Sequence, residues 1–202
     1  MASVKEVGAK RVAELRTRTG AGMMDCKRAL EEAGGDLEKA VDVLRKKGAA
    51  KADTRAGREA SEGLVEAYIH FNGRVGVLVE VNCETDFVAR TEDFKQLVRD
   101  VALHIASARP LAVRVEDLPP ELVERERKIY EAQAAEEKKP DAVKAKIVEG
   151  RLKKFFEEAA LLEQKFVKDD TRTVGDLVKA LVAKTGEAIR IRRFARFELG
   201  GS

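Results

Sequence analysis

Residues 63–84 read GLVEAYIHFNGRVGVLVEVNCE. Two apolar runs flank Asn72-Gly73, and both residues of that pair tolerate positive φ. The stretch therefore predicts a β-hairpin with strands over 63–71 and 74–83. Directly after it, EDFKQLVRDVALHIAS (92–107) returns to helical spacing through Phe94, Leu97, Val98, Val101, Leu103 and Ile105. A hairpin beside an amphipathic helix indicates an α+β core, a small antiparallel sheet with helices packed on it.

Toward the C-terminus, Pro110 and Pro119-Pro120 punctuate a loop before the charged helix ELVERERKIYEAQAAEE, which Pro140 breaks. Residues 141–163 predict another helix, with Val143, Ile147, Leu152, Phe155, Phe156, Leu161 and Leu162 as its apolar positions. KFVKDD closes that region. A short helix is expected from Val174 to Lys184, ended by Gly186. EAIRIRRFARFEL then alternates apolar and basic residues over Ile189, Ile191, Phe194 and Phe197. The alternation slips by one residue near Arg193, as a bulge would cause. It predicts a third strand with one buried and one cationic face.

On the N-terminal side, residues 4–47 predict three short helices. Val4, Val7, Val12 and Leu15 mark the first, which ends before TGAG at 19–22. The second, MDCKRALEEA, stops at Gly34-Gly35. Asp36 N-caps the third, where Leu37, Ala40, Val41 and Leu44 fall at helical spacing and Gly48 is placed as the stop. Three helices in about 45 residues bury little, so this segment suits a docking module. AAKADTRAGREASE (49–62) has no apolar stripe and is expected to be a linker. The expected organisation is a module over 1–48, a linker over 49–62 and a core over 63–202.

Of the 202 residues, 37% are charged, above the roughly 25% of ordinary domains, which points to long solvated helices. Lys plus Arg total 39 and Asp plus Glu 36, so the net charge of +3 comes from mixed signs and does not require nucleic acid. Cys26 and Cys83 are dispersed, which fits a reducing cytoplasm. No run approaches about 18 apolar residues, and the N-terminus has no secretory pattern. A soluble cytoplasmic protein is expected.

Several residues invite chemistry. Cys83 and His70 on adjacent predicted strands make a nucleophile pair conceivable, but a small packed hydrophobe and a strand-edge histidine explain them more simply. His104 reads as a satisfied helix residue. Two histidines and two dispersed cysteines do not make a zinc site, and no metal or cofactor is expected. TGAGMMD (19–25) can cradle an anion, yet it follows a helix rather than a strand, which favours a structural turn. Arg190, Arg192, Arg193 and Arg196 can meet RNA or simply protect an edge strand, and the latter is favoured. Met23-Met24 can bury one thioether on the helix's core face, leaving the other as incidental exposure or as part of a partner-binding patch. Phe87, at the apex of the connection 84–90, is equally open: core filler or side chain offered to a partner.

These segments resemble one family. ELRTRTGAGMMDCKRALEEAGGDLEKAVDVLRKKG is similar to the ubiquitin-associated-like three-helix module of bacterial elongation factor Ts. GRVGVLVEVNCETDFVAR is similar to that family's central signature, and RRFARFELG to its C-terminal strand. The resemblance implies a guanine-nucleotide exchange factor for elongation factor Tu that performs no covalent chemistry and engages its partner in GDP-bound and nucleotide-free states. It implies that Thr85, Asp86, Phe87 and Val88 enter the GTPase near its Mg²⁺ and phosphate elements, with Phe87 as wedge and Asp86 as the group that aims it. It further implies contacts from Arg16, Thr19, Gly20, Met23 and Met24, with Arg192 and Phe197 as lesser candidates.

The chain is short for the family, and short members can pair as homodimers in a two-plus-two complex. Ala195 stands where some short members carry a cysteine, so a dimer here would be non-covalent. A non-catalytic ubiquitin-associated-like adaptor or GTPase chaperone remains the alternative.

Overall fold

The computed structural model describes residues 8–55 and 57–201, without the side chains of 49–54. Val4 and Val7, expected on the first helix, lie outside the described residues. The elements in chain order are α1 (Ala9–Thr19), α2 (Met23–Glu32), α3 (Leu37–Arg55), β1 (Glu62–Ile69), β2 (Val75–Cys83), α4 (Asp86–Ala89) and α5 (Glu92–Ala108). There follow a 3₁₀ turn (Val115–Asp117), α6 (Pro120–Ala135), α7 (Asp141–Ala159), β3 (Lys165–Phe166), β4 (Asp169–Thr173), α8 (Val174–Thr185) and β5 (Ile189–Glu198). Strands run β1-β2-β5 in one antiparallel sheet and β3-β4 in a second. Among the described residues no helix is long and apolar enough to cross a membrane.

The chain divides into two compact units. The first holds the chain up to Gly63 together with Asn82–Lys95 and Val178–Arg190. Its three N-terminal helices close around Val12, Leu15, Cys26, Ala29, Leu30 and Ala40, all buried, with Leu37, Val41 and Leu44 half-buried against them. Asp36 caps α3 as its sequence suggests, accepting the Lys39 N–H at 3.1 Å.

Gly48 does not stop α3. The helix continues to Arg55, and Gly48 is buried within it. A Cβ at Gly48 would come within 3.0 Å of the Ala183 Cβ, so the missing side chain serves a close helix approach rather than a C-cap.

The second unit holds Leu64–Val81, Gln96–Leu177 and the chain from Ile191. Alternate residues Val77, Val79 and Val81 of β2 are buried, as are Val98, Val101, Ala102 and Ile105 of α5. In the hairpin turn, His70 N–H donates to the Val75 carbonyl and Gly73 N–H to the His70 carbonyl. Only Gly73 of the expected pair has positive φ (68°). Asn72 instead accepts the Arg74 N–H on its side-chain oxygen at 3.1 Å, closing an Asx turn across the loop.

The slip in β5 is visible as burial. Ile191 is buried, Arg192 and Arg193 are both exposed, and Phe194 and Arg196 then face inward as half-buried residues. Two expectations fail because of it. Phe197 was expected on the buried face and is 71% exposed. Arg196 was expected on the cationic face, yet its guanidinium donates to the Ala106 carbonyl at 3.3 and 3.2 Å.

The helix predicted over 141–163 ends at Ala159. Ala160 turns extended and bridges Ala112, while the Leu161 N–H donates to the Ala112 carbonyl at 2.9 Å. α6 and α7 enclose Ala134, Val148 and Leu152 with Tyr130, Ile147 and Phe156 around them. KFVKDD, left without an element by its sequence, begins the β3-β4 hairpin. His104 explains why so short a hairpin is held. Buried completely, it accepts the Val167 N–H on Nδ1 (3.3 Å), so Nε2 carries the proton and donates to Gln164 Oε1 (2.9 Å).

Candidate partner-binding site

The connection after β2 is ordered around Thr85. Instead of an open loop over 84–90, Asp86–Ala89 forms a single helical turn with Thr85 as its N-cap. The Thr85 hydroxyl accepts the Val88 N–H at 3.4 Å, and Thr91 then caps α5 by accepting the Phe94 N–H at 3.3 Å. Two caps in succession fix which way the turn faces. Ala89 is buried beneath it, while Phe87 is 77% exposed. The question that the sequence left open about Phe87 is answered: it is not core filler. Asp86 forms an ion pair with Arg90 at 2.7 Å, one turn on.

Thr85 is also held from the far end of the chain. Its N–H donates to Glu187 Oε2 at 3.1 Å and its hydroxyl to Glu187 Oε1 at 2.6 Å. In the opposite direction, the Ala188 N–H donates to Glu84 Oε1 at 2.6 Å. Glu187 follows Gly186, whose φ of 81° ends α8 and whose N–H donates to the Val182 carbonyl. Cys83 completes the support. Its thiol donates to the Thr85 carbonyl at 3.1 Å, and burial, with the Glu187 charge adding to it, pushes the thiol pKa up to about 11. That is the opposite of what an activated nucleophile needs, so Cys83 is a packing and positioning residue.

The second group of candidates lies on the turn between α1 and α2. Gly20 ends α1 with its N–H on the Arg16 carbonyl at 2.8 Å. The Thr19 hydroxyl donates to the Leu15 carbonyl (2.7 Å) and accepts the Ala21 N–H (3.3 Å), which sets the bend. α2 then starts at Met23 with no side-chain cap. The sequence leaves room for one of the two methionines in the core, with incidental exposure or a partner-binding patch for the other, and in the structure Met23 is 50% and Met24 62% exposed. The inward positions of α2 are taken by Cys26, Ala29 and Leu30, which leaves both thioethers outside. Arg16 is exposed as well.

All nine principal candidates, Arg16, Thr19, Gly20, Met23, Met24, Thr85, Asp86, Phe87 and Val88, fall in the first unit. Gly20 packs against the aliphatic stem of Lys184 in that unit, whose ammonium pairs with Asp93 at 2.6 Å. Arg192 and Phe197 fall in the second. Arg192 and Arg193 both pair with Glu80, at 3.5 and 2.7 Å, and Arg190 donates to the Arg58 carbonyl. The tail that suggested RNA is thus engaged by its own protein. His70 is occupied by the Tyr68 hydroxyl at 3.0 Å. Among the described residues no group of three or more His, Cys, Asp or Glu side chains could hold a metal ion. Sequence reasoning missed Glu84 and Glu187; the one local signal for the latter is its place directly after the helix-ending Gly186.

Fold and site together define a class: an α+β protein with an N-terminal three-helix bundle, carrying exposed apolar side chains at the start of α2 and on the capped turn after β2. A family model described as Elongation factor TS matches residues 48–201. The protein named elongation factor Ts from Carboxydothermus hydrogenoformans is 63% identical over 189 residues, covering 94% of this chain and 87% of that protein. The one from Caldanaerobacter subterraneus is 59% identical over 194 residues, covering 96% and 97%. That from Thermotoga maritima is 56% identical over 195 residues, covering 96% and 97%. The chain belongs to the elongation factor Ts family of translation elongation factors.

Proposed function

We propose that the chain promotes GDP release from elongation factor Tu, the exchange function of its family, by using Phe87 as an apolar wedge. The observation that carries this reading is Phe87 itself, an aromatic ring 77% exposed on a turn whose N-terminus is capped by the Thr85 side chain. Exposure of a large apolar group costs solubility, and a side chain fixed in that position is pre-organised for insertion between side chains of a partner.

The exchange is a matter of coupled binding rather than covalent chemistry. If the factor binds nucleotide-free GTPase more tightly than the GDP-bound form, GDP affinity must fall by the same factor when the two meet. Phe87 would intrude near the partner's Mg²⁺ and phosphate elements, and Asp86, exchanging its pairing with Arg90, would aim it. The ion there carries much of the local positive charge, so disturbing its surroundings loosens the phosphates. The magnesium is the partner's; this chain contributes no metal or cofactor.

Residues 1–48 act as the second contact, with 49–62 as the connection to the core over 63–202. Met23 and Met24 supply adaptable thioether surface, while Arg16, Thr19 and Gly20 shape the turn that offers it. Val88 continues the wedge contact. The outer face of the β1-β2-β5 sheet supports the non-covalent homodimer of a two-plus-two complex, in the cytoplasm. Val65, Ile69, Leu78 and Phe197 are exposed on these strands, with Leu199 exposed directly after β5, and contiguous exposed apolar side chains mark an interaction surface. Arg192 lies on the same strand as Phe197.

The test is release of a fluorescent GDP analogue from purified elongation factor Tu. Catalytic amounts of the protein should speed release. Tight binding with an unchanged GDP off-rate would instead support a non-catalytic adaptor or chaperone.

A further inference from the structure

We infer that Glu187, with Glu84 opposite it, is a positioning residue for exchange: crossed carboxylates lock the Phe87 turn to the end of α8. The inference rests on the wedge reading of Phe87.

The geometry is reciprocal. Glu187 accepts both the backbone N–H and the hydroxyl of Thr85, at 3.1 and 2.6 Å, so its two oxygens define the orientation of the N-cap residue rather than merely tethering it. Glu84, the residue before Thr85, accepts the N–H of Ala188, the residue after Glu187, at 2.6 Å. Two adjacent residues on one segment are thereby stitched to two adjacent residues on the other. The segments are separated by 102 to 104 positions in the chain.

The Thr85 hydroxyl is the shared element. It donates to Glu187 and accepts the Val88 N–H, so the carboxylate fixes the rotamer that caps the Phe87 turn. Glu187 is itself held. Its N–H donates to the Thr185 hydroxyl at 3.3 Å, and that hydroxyl donates to the Leu181 carbonyl at 2.9 Å. Arg58 approaches Glu84 at 3.5 Å, leaving that carboxylate neither unpaired nor free to swing.

Glu84, Thr85, Thr185 and Glu187 are all half-buried, and none of them is the wedge. Their effect on exchange must pass through the angle and stiffness of the turn. A wedge on a loose turn still finds its partner but spends its binding energy on being ordered. The expected signature is a fall in the maximal rate of GDP release with little change in the half-saturating concentration.

The experiment measures GDP release from elongation factor Tu over a concentration series of wild type, Glu187→Ala, Glu187→Gln, Phe87→Ala and the Phe87→Ala/Glu187→Ala double variant. Glu187→Ala should lower the maximal rate about tenfold, the worth of a charge-assisted hydrogen bond, and move the half-saturating concentration less than about twofold. Glu187→Gln keeps one acceptor oxygen and should fall between the two. In the Phe87→Ala background the Glu187 change should add nothing, because the clamp acts through that ring. Thr85→Val, which removes the hydroxyl and keeps the backbone N–H, reports on the same clamp if Glu187→Ala does not fold.

Loss of rate in Phe87→Ala with an unchanged maximal rate in Glu187→Ala, or in Thr85→Val where that stands in, would overturn the clamp and leave the wedge standing. A Glu187 effect that persists undiminished without the Phe87 ring would also overturn it. An unaffected Phe87→Ala would remove the wedge and the clamp together.

Discussion

The turn over 85–90 and the outer face of the β1-β2-β5 sheet both hold apolar side chains in water, by opposite means. The turn shows a single ring, Phe87, on a backbone fixed by Thr85, Thr91, Cys83 and Glu187. The sheet shows a broad surface, with Ile69, Leu78, Phe197 and Leu199 lining one shallow depression. A lone ring on a stiff mount suits entry into another protein. A flat apolar face suits being covered, because its free energy scales with area removed from water rather than with the aim of any one group.

The contrast breaks most visibly on the sheet. Ile69→Asp with Leu78→Asp should weaken self-association at least about 100-fold, since each charge would be buried without a partner. Light scattering would report half the wild-type mass at micromolar concentration. A wild-type protein that is already monomeric there would remove the covering role from this face.

The next effect separates the methionines from the ring. Met24→Ala should raise the half-saturating concentration for exchange about fivefold, near 1 kcal/mol of lost contact, and leave the maximal rate intact. A fall in the maximal rate instead would make Met24 part of the wedge rather than of the docking surface.

A smaller effect concerns pH. His104 is buried and neutral, and burial holds its pKa below 6.5 while the Gln164 hydrogen bond opposes that shift. A group whose folded pKa is lowered in this direction binds protons in the unfolded chain first. Its contribution is therefore complete above pH 6.5 and declines as pH falls below it, by at most about 1.4 kcal/mol per unit, until the folded pKa is reached. Denaturant unfolding at pH 7.5, 6.5 and 5.5 should show that loss, and His104→Gln should flatten it. The smallest change is expected at Cys83, whose raised pKa and burial should leave it unalkylated by iodoacetamide at pH 7.5 until the chain is unfolded.

Much of the scaffold was legible because short-range physics decides it. Asn72-Gly73 marked the hairpin, although Gly73 alone takes the left-handed backbone. Asp36 and Gly186 marked helix ends, and the slip at Arg193 marked where β5 changes faces. What escaped was set by distant partners. Gly48 looks like a stop until Ala183 is seen against it. Residues 165–173 are too short and polar to announce a hairpin without His104 beneath Val167. The four residues of α4 are too few to show a period. In the site, resemblance picked out Thr85–Val88, but the residues alone left Phe87 undecided. Nothing local pairs Thr85 with a carboxylate 102 positions away.

The central claim is that Phe87 drives exchange, and one comparison tests it most directly. GDP release from elongation factor Tu is followed at saturating wild-type protein and at saturating Phe87→Ala, with thermal unfolding of both proteins recorded. Truncating a wedge should slow release by about 30-fold or more, the scale of a hot-spot residue, while the unfolding temperature stays unchanged because the ring is 77% exposed. Equal release rates from two equally folded proteins would contradict the account.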